Sequence, residues 1–426
     1  MKVMVVGGGW SGCAAALSAH KQGAEVILIE RTDMLLGTGL VGGIMRNNGR
    51  FTAAEEMIAM GGGELFQLTD QNSLHRNIEF PGHRHASLYN VATMEPITYG
   101  YLLEQGIQIR LSTRITDVEM QDSRIKRLIG KHQKEEIRLD ADVFIDTTGT
   151  AGPPANCNKY GNGCVMCVLR CHSFGGRVSV AAKAGVKEII GKKGPQTGAM
   201  SGSCKVLKES LSPDVANQLN KDGVVVIPLS EAQRMTGKLA LKCCQQYATP
   251  EFENSIVLLD TGHAKLMSPF FPLDALRQVD GFRSARFEDP YAAGQGNSIR
   301  YMGMAPRDDA LKVNGVDNLF CAGEKAGLLV GHTEAICTGV LAGYNAVRCI
   351  KKEKPLILPD SLAVGDSIRH VRQQMQHEEG LGLKFTYSGS VFFDRMKQRN
   401  LYSIDTKEIE QRVGQAGLEG VFAGRN

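Results

Sequence analysis

The first thirty residues constrain this chain most. A short apolar run from Lys2 to Val6 breaks into Gly7-x-Gly9-x-x-Gly12, with Trp10 and Ser11 inside the turn; an Ala-rich segment follows, and a second apolar run from Val26 to Ile29 ends on Glu30 and Arg31. The pattern predicts strand, glycine turn, helix, strand and acidic tip. Gly7 permits the tight turn, Gly9 lets a pyrophosphate reach the backbone, and Gly12 lets the helix pack close to the sheet. The helix start offers free N–H groups and a partial positive charge to phosphates. Glu30, about twenty residues on, is placed to accept from ribose hydroxyls. The unit predicts a bound dinucleotide.

The next stretch, Leu36 to Arg50, is crowded with glycines, including Gly37, Gly42 and Gly43, and carries Arg46, Asn47 and Asn48. It suits neither helix nor strand, and the apolar residues between the glycines argue for a loop laid against a flat cofactor ring. Residues 52–66 predict a helix capped by Thr52 with Glu55 three residues on. His75, His83 and His85 are expected in an exposed polar loop near a substrate entrance; a metal site at His83-x-His85 lacks further ligands at suitable spacing. Residues 94–105 predict a helix and 107–111 a strand. The run Asp142 to Asp146 predicts a buried strand whose end, Thr148 and Gly149, lies near the cofactor. Residues 205–220 and 230–246 are expected to be helical, and 224–228 and 256–259 to be strands. Near the end, Leu319 to Glu324 predicts a strand breaking at Gly323, and Gly331, His332 and Thr333 open a helix with small residues every three or four positions. The tail carries amphipathic segments at 360–378 and 405–416.

With 426 residues the chain is long for one core. We expect an α/β fold: a Rossmann-like dinucleotide-binding domain in two parts (1–150 and 291–355), an inserted cysteine-rich α+β substrate domain (151–290) and a C-terminal helical cap (356–426). The net charge of +4 is slight and predicts no extended nucleic-acid surface. No apolar run reaches the roughly 18 residues that span a membrane, and nothing at the start reads as a signal peptide, so a cytoplasmic protein is expected. Eleven cysteines then favour free thiols, metal ligands or redox work over disulfides.

The pairing of the early glycine unit with the late strand and helix resembles the two-dinucleotide-binding-domain flavoproteins. The late block, Leu319-Phe-Cys-Ala-Gly-Glu through Gly339-Val-Leu-Ala-Gly-Tyr, with the stretches Leu36 to Ile44, Glu56 to Gly62 and Leu276 to Arg286, is similar to the glucose-inhibited division protein A family of flavin-dependent tRNA-modifying enzymes. The resemblance implies FAD, with its ADP half on the first glycines and Glu30, its ribitol and pyrophosphate at Gly323 and Glu324, and its pyrimidine edge at the helix start near His332. On this reading the cofactor-binding set is Gly7, Gly9, Trp10, Ser11, Gly12, Glu30, Arg31, Gly37, Gly42, Gly43, Ile115, Thr148, Gly149, Gly323, Glu324, Gly331, His332 and Thr333. Residues 37–50 lack the family's loop cysteines, and only about 70 residues follow position 355, where the family carries a tRNA-binding helical domain.

Cys157-x6-Cys164-x2-Cys167-x3-Cys171 places four thiols in a short span. The spacing is compatible with a [4Fe–4S] cluster, a redox dithiol working with the flavin, a zinc site or unligated thiols. No second Gly-x-Gly-x-x-Gly follows a strand, so NAD(P)H is expected at most as a transient reductant. His332, Arg46 and Asn48 are the catalytic candidates, and Arg50, Arg283, Arg286, Arg300 and Arg307 suggest a basic lining. The favoured expectation is an FAD-dependent oxidoreductase acting on a small anionic metabolite. A tRNA or rRNA uridine-modifying enzyme and a flavin-bearing electron-transfer subunit are the alternatives. Nucleic acid is thus the less favoured partner, and a homo-oligomer or an electron-transfer partner is compatible.

Overall fold

Short apolar runs without polar alternation belong in a sheet covered on both faces. Four of them, Lys2–Val6 (β1), Glu25–Ile29 (β2), Val143–Asp146 (β4) and Leu319–Cys321 (β5), join the alternating edge strand Gln108–Arg110 (β3) in one parallel sheet of order β5-β4-β1-β2-β3. This comes from a computed structural model that describes residues 1–150, 170–193, 196–197, 199–201, 204–234, 237, 245–268, 271–288, 298–300 and 303–424. The chain steps from β1 to one side, then returns to β4 on the other. Val6 and Asp146 are register partners, so the turn after β1 and the strand end after β4 open onto one crevice, where such sheets bind ligands.

The helices around the sheet include Trp10–Lys21 (α1), Gly49–Ala59 (α2), His332–Ile350 (α3), Ala363–Gln374 (α4), Ser390–Gln398 (α5) and Thr406–Gln415 (α6). α1 and α3 touch backbone to backbone. A Cβ at Gly339 would lie 2.3 Å from the Ser11 carbonyl oxygen, and one at Gly343 2.2 Å from that of Ala15. Ser18 Oγ donates to the Val340 carbonyl at 2.8 Å. This close packing holds the starts of both helices at the crevice.

Thr113–Gln121, Arg124–His132 and Glu135–Asp140 form an antiparallel meander. Cys204–Val206, Ala264–Leu266, Ser255–Asp260 and Val224–Pro228 form a four-stranded antiparallel sheet over its own apolar cluster. Ile44–Met45, His83–Tyr89 and Ser73–Phe80 form a third small sheet, which shares a cluster containing Tyr247, Phe252 and Met267 with the four-stranded one.

Several expectations change. The helix expected from Thr52 begins at Gly49; Thr52 Oγ1 instead donates to the Ser403 carbonyl at 2.7 Å, tying the helix to the tail. Gly61 to Gly63 end it, and a second helix, Glu64–Gln71, follows. His83 is no exposed loop residue: it sits on a strand, 2% exposed, between Asn47 and the Gln246 carbonyl. The helix expected over 205–220 forms only from Pro213 to Asp222, where Ser212 accepts from the Val215 N–H and Pro213 fits the first turn. Residues 230–246 show 3₁₀ turns at Glu231–Gln233 and Gln245–Tyr247; 235–236 and 238–244 lie outside the described residues. α5 lies within the expected helical cap but between the two amphipathic segments expected there. No described helix is long and apolar enough to cross a membrane.

Candidate functional site

The three glycines of the first turn do different work. Gly7 has φ +107, and a Cβ there would meet the Thr147 carbonyl oxygen at 2.4 Å. At Gly12 a Cβ would lie 1.8 Å from the Gly7 carbonyl oxygen, so that glycine serves helix-on-strand packing. Gly9 is the informative one. Its backbone is ordinary, with φ −68, and the nearest protein atom to an added Cβ is 4.0 Å away. Nothing in the protein requires glycine there; the space it leaves lies in the cleft wall at the start of α1, where a pyrophosphate would fit.

Glu30 stands beside this turn, 8% exposed. Its Oε2 accepts from the Gly8 N–H at 2.7 Å, and Oε1 accepts from the Thr32 N–H at 2.8 Å. These bonds orient the carboxylate, and with about four lone-pair sites it retains capacity for hydroxyl donors. Arg31 donates to the Gly175 carbonyl at the same end of the cleft.

Asp146, fully buried at the end of β4, accepts from the Thr148 N–H at 3.1 Å, Thr148 Oγ1 at 2.7 Å and the Ala181 N–H at 2.9 Å. It thereby shapes the Thr148-Gly149 edge. Across the crevice, Gly323 adopts φ +66 and donates its N–H to Thr338 Oγ1 at 2.9 Å. Glu324 accepts from Thr150 Oγ1 at 2.6 Å, bridging the ends of β4 and β5.

At the other end, His332 is the first residue of α3. Tyr89 Oη donates to the Gly39 carbonyl at 3.0 Å, so it accepts from His332 Nδ1–H at 3.3 Å; this network assigns the Nδ1-protonated tautomer. Burial pushes the Tyr89 phenol up to about 12, which keeps it a neutral donor. A Cβ at Gly42 would lie 1.6 Å from His332 Cε1, so the glycine segment folds directly onto the imidazole. Under Gly331, buried Arg50 Nε lies 3.2 Å from both carboxylate oxygens of fully buried Glu334. Lys265, 6% exposed, reaches across from the four-stranded sheet and donates to the Val41 and Gly42 carbonyls.

All of these meet in one cleft, with about 1760 Å³ of space counted out to its open mouth. Its described lining contains Gly7, Gly9, Trp10, Ser11, Glu30, Arg31, Gly37, Gly42, Ile115, Thr148, Gly149, Gly323, Glu324, Gly331 and His332. Gly12, Gly43 and Thr333 stand behind that wall: Gly43 packs on Thr261, and Thr333 Oγ1 faces Met45 Sδ at 3.8 Å.

Two catalytic candidates are not brought to the cleft. Arg46 pairs with Asp70 and Glu55. Asn48 donates to the Gly82 carbonyl at 2.9 Å and the Ser388 carbonyl at 2.8 Å, tying three segments together. Both are absorbed by structure because the loop that carries them turns into α2. Of the arginines expected as a basic lining, Arg50 lines the cleft. Arg283 and Arg286 are exposed elsewhere, and Arg307 is buried, donating to the carbonyls of Ala326 and Ile368. The side chain of Arg300 is outside the described residues. So are Cys157, Cys164 and Cys167, while Cys171 opens a short helix, Cys171–Phe174. Among the described residues no group of three or more His, Cys, Asp or Glu could hold a metal ion. Burial pushes the Cys13 and Cys337 thiols up, and that of Cys321 to about 12, so all three stay protonated.

Sequence reasoning missed Tyr89, Lys265, Gln246 and Tyr247. They come from strands and a turn with no recognisable motif, and tertiary packing alone delivers Lys265, Gln246 and Tyr247 to the cleft and Tyr89 to His332 behind its wall.

Residues 2–152 match the family model described as FAD dependent oxidoreductase, and residues 267–354 match that described as Glucose inhibited division protein A. A tRNA uridine 5-carboxymethylaminomethyl modification enzyme, MnmG, from Desulfotalea psychrophila is 29% identical over 119 residues, covering 28% of this chain and 18% of that protein. A methylenetetrahydrofolate–tRNA-(uracil-5-)-methyltransferase, TrmFO, from Bacillus cytotoxicus is 40% identical over 55 residues, covering 13% of this chain and 12% of that protein. The matched region thus spans less than a fifth of the length of these curated relatives. Two crystal forms of Aquifex aeolicus GidA align with TM-scores of 0.66 and 0.63 at 14% and 13% identity, over 100% and 99% of this chain and 74% and 77% of theirs. That likeness bears on the fold alone. Together these findings bear out the chain's resemblance to FAD-dependent oxidoreductases and to the glucose-inhibited division protein A family, and the expected α/β fold.

Proposed function

We propose that this chain is a flavin-dependent enzyme acting on a uridine base of RNA. The observation that carries the proposal is the match of residues 267–354 to the Glucose inhibited division protein A model. That segment supplies β5, the Gly323 turn and the start of α3, the wall against which a flavin ring would lie. Relatives matching parts of the chain are named for modifying tRNA uridine.

The residues present fit FAD. Gly9 and the start of α1 would take the pyrophosphate, Glu30 the adenosine ribose, Gly323 and Glu324 the ribitol side, and the start of α3 the pyrimidine edge. When bound, the flavin supplies hydride or electron transfer. The chain's own residues then position the substrate. The Tyr247 ring and the Gln246 amide, both in the lining, offer a face and polar atoms to a planar base. His332 Nε2, opposite the nitrogen bonded to Tyr89, is suited to accept a proton from a reacting N–H or O–H. The Lys265 ammonium adds positive charge at the Val41-Gly42 edge. A nicotinamide cofactor is the simplest source of reducing equivalents.

Of the described arginines from which the sequence reading drew a basic lining, Arg50 alone lines the cleft, with its charge opposed by Glu334, while Arg31, Arg114, Arg177 and Lys265 supply positive charge there instead. Charge alone therefore does not separate a small anion from RNA, and the match of residues 267–354 is what favours the RNA reading. To test it, flavin-loaded protein is incubated with unmodified tRNA and NADH, and the nucleosides are analysed by mass spectrometry. A change of mass at uridine is expected. Protein that binds FAD, leaves every uridine unaltered and instead turns over a small carboxylate would overturn the proposal.

A further inference from the structure

A strip of half-buried aromatic rings and cations adjoins the cleft. It begins where α5 starts against the cleft wall: a Cβ at Gly389 would lie 2.5 Å from the Cβ of Gln246, which with Tyr247 lines the cleft. One turn along α5 stands Phe393, and Lys397, a turn further, holds its Nζ 4.7 Å from the centroid of that ring. Tyr402 packs edge-on against Phe393, centroids 5.0 Å apart. The turn between strands Ser73–Phe80 and His83–Tyr89 faces them. It is locked to the start of α2, with the Asn48 N–H donating to the Arg84 carbonyl at 2.9 Å and the Arg84 N–H to Asn48 Oδ1 at 3.0 Å. Arg84 is exposed and has no ion pair among the described residues. His85 lies 5.9 Å from the Phe51 ring. The two sides are neighbours through Asn48, which besides bonding Arg84 donates from Nδ2 to the Ser388 carbonyl at 2.8 Å, two residues before α5 begins. Val391 and Ile404, 45% and 49% exposed, extend the apolar part.

Rings left half-open with cations between them suit a particular ligand. A protein partner's anchor site depletes lysine from its centre. A single nucleic-acid strand asks for the reverse, ring faces for bases and interleaved cations for phosphates. Lys397 already pairs with Asp394 at 2.7 Å, but both are exposed, and such a pair is weak enough for a phosphate to displace. We propose that Phe51, His85, Phe393 and Tyr402, with Arg84 and Lys397, form a docking track for unpaired nucleotides of the RNA whose uridine enters the cleft, a proposal that rests on the RNA reading above.

The test uses the full chain loaded with FAD and measures binding of unmodified tRNA and of an unpaired oligoribonucleotide across a range of salt. The double variant Arg84→Gln/Lys397→Gln is expected to flatten the slope of log K against log salt by about 2, one for each lost phosphate contact. Tyr402→Leu is expected to weaken binding roughly 5- to 150-fold with the slope kept, as loss of one stacked base does. Flavin content and melting temperature should match the wild type in both. If the wild type binds RNA and both variants bind it with the same affinity and slope, the track is wrong and the RNA reading survives. If the wild type binds no RNA, both fall. Capture of a protein through the strip, with RNA binding untouched in the variants, also overturns the track.

Discussion

Gly9 and Gly12 differ by three positions and by the whole reason for being glycine. At Gly12 the protein forbids a side chain; at Gly9 the protein permits one and the space is kept for a ligand. Gly12→Ala should therefore destabilise the fold by about 1–3 kcal/mol through overpacking, seen as a lower urea midpoint. Gly9→Ala should leave the apoprotein within about 0.5 kcal/mol of wild type while weakening FAD by about tenfold or more, roughly 1.4 kcal/mol, measured by fluorescence titration. Glu56 makes a separate prediction. It is fully buried, and its carboxyl is raised from 4.5 to about 7 by burial, against the pull of the Val364 and Ala363 N–H groups and Arg412. A raised folded value means the native state holds the proton more tightly. The stabilisation is complete below pH 4.5 and is lost as pH rises through about 7. Its size is on the order of 3 kcal/mol. Glu56→Gln, neutral throughout, should flatten the fall in urea midpoint across that window.

At the scale of elements, the pairing of α1 with α3 sets the cleft. Two glycines of α3 lie against α1 carbonyls, and both helix starts reach the lining. Gly343→Val should push the helices apart, costing about 1–3 kcal/mol and lowering FAD affinity although the residue is far along the helix from His332. The measurement is a paired urea melt and flavin titration; unchanged FAD affinity in a destabilised but folded variant would separate packing from the site. The small-residue spacing of α3 was legible in the sequence, as were all five strands of the central sheet, because four are continuous apolar runs with few other uses and the edge strand Gln108–Arg110 alternates. The start of α2 was not. Thr52 looks like a cap, yet its hydroxyl bonds Ser403, 351 residues away, and no local pattern encodes so remote a partner. The same holds for Arg46, whose charge is taken by Asp70 and Glu55 after the chain folds back.

At the scale of the whole molecule, the cleft is built from the parallel sheet, the glycine segment, the four-stranded sheet through Lys265 and Met267, and the turn carrying Gln246 and Tyr247. A ligand that touches so many pieces should stabilise all of them together. FAD at a hundred times its Kd is expected to add about 2.7 kcal/mol, raising the melting temperature in a concentration-dependent way by differential scanning fluorimetry. No rise in a preparation that binds FAD spectroscopically would mean that the unfolded chain takes up the flavin as well as the folded one does, and that binding does not depend on this cleft being assembled.

The sequence by itself determined the parallel α/β sheet, the glycine turn with its acidic partner and the second helix start, because each rests on residues close together along the chain whose backbone demands are local. Tertiary structure alone decided which polar residues meet the ligand. Arg46 and Asn48 turn into structural ties, while Lys265, Gln246 and Tyr247 arrive from distant strands and turns. Such a residue's role depends on the neighbours that packing brings to it, and its own neighbourhood in the sequence holds no record of them.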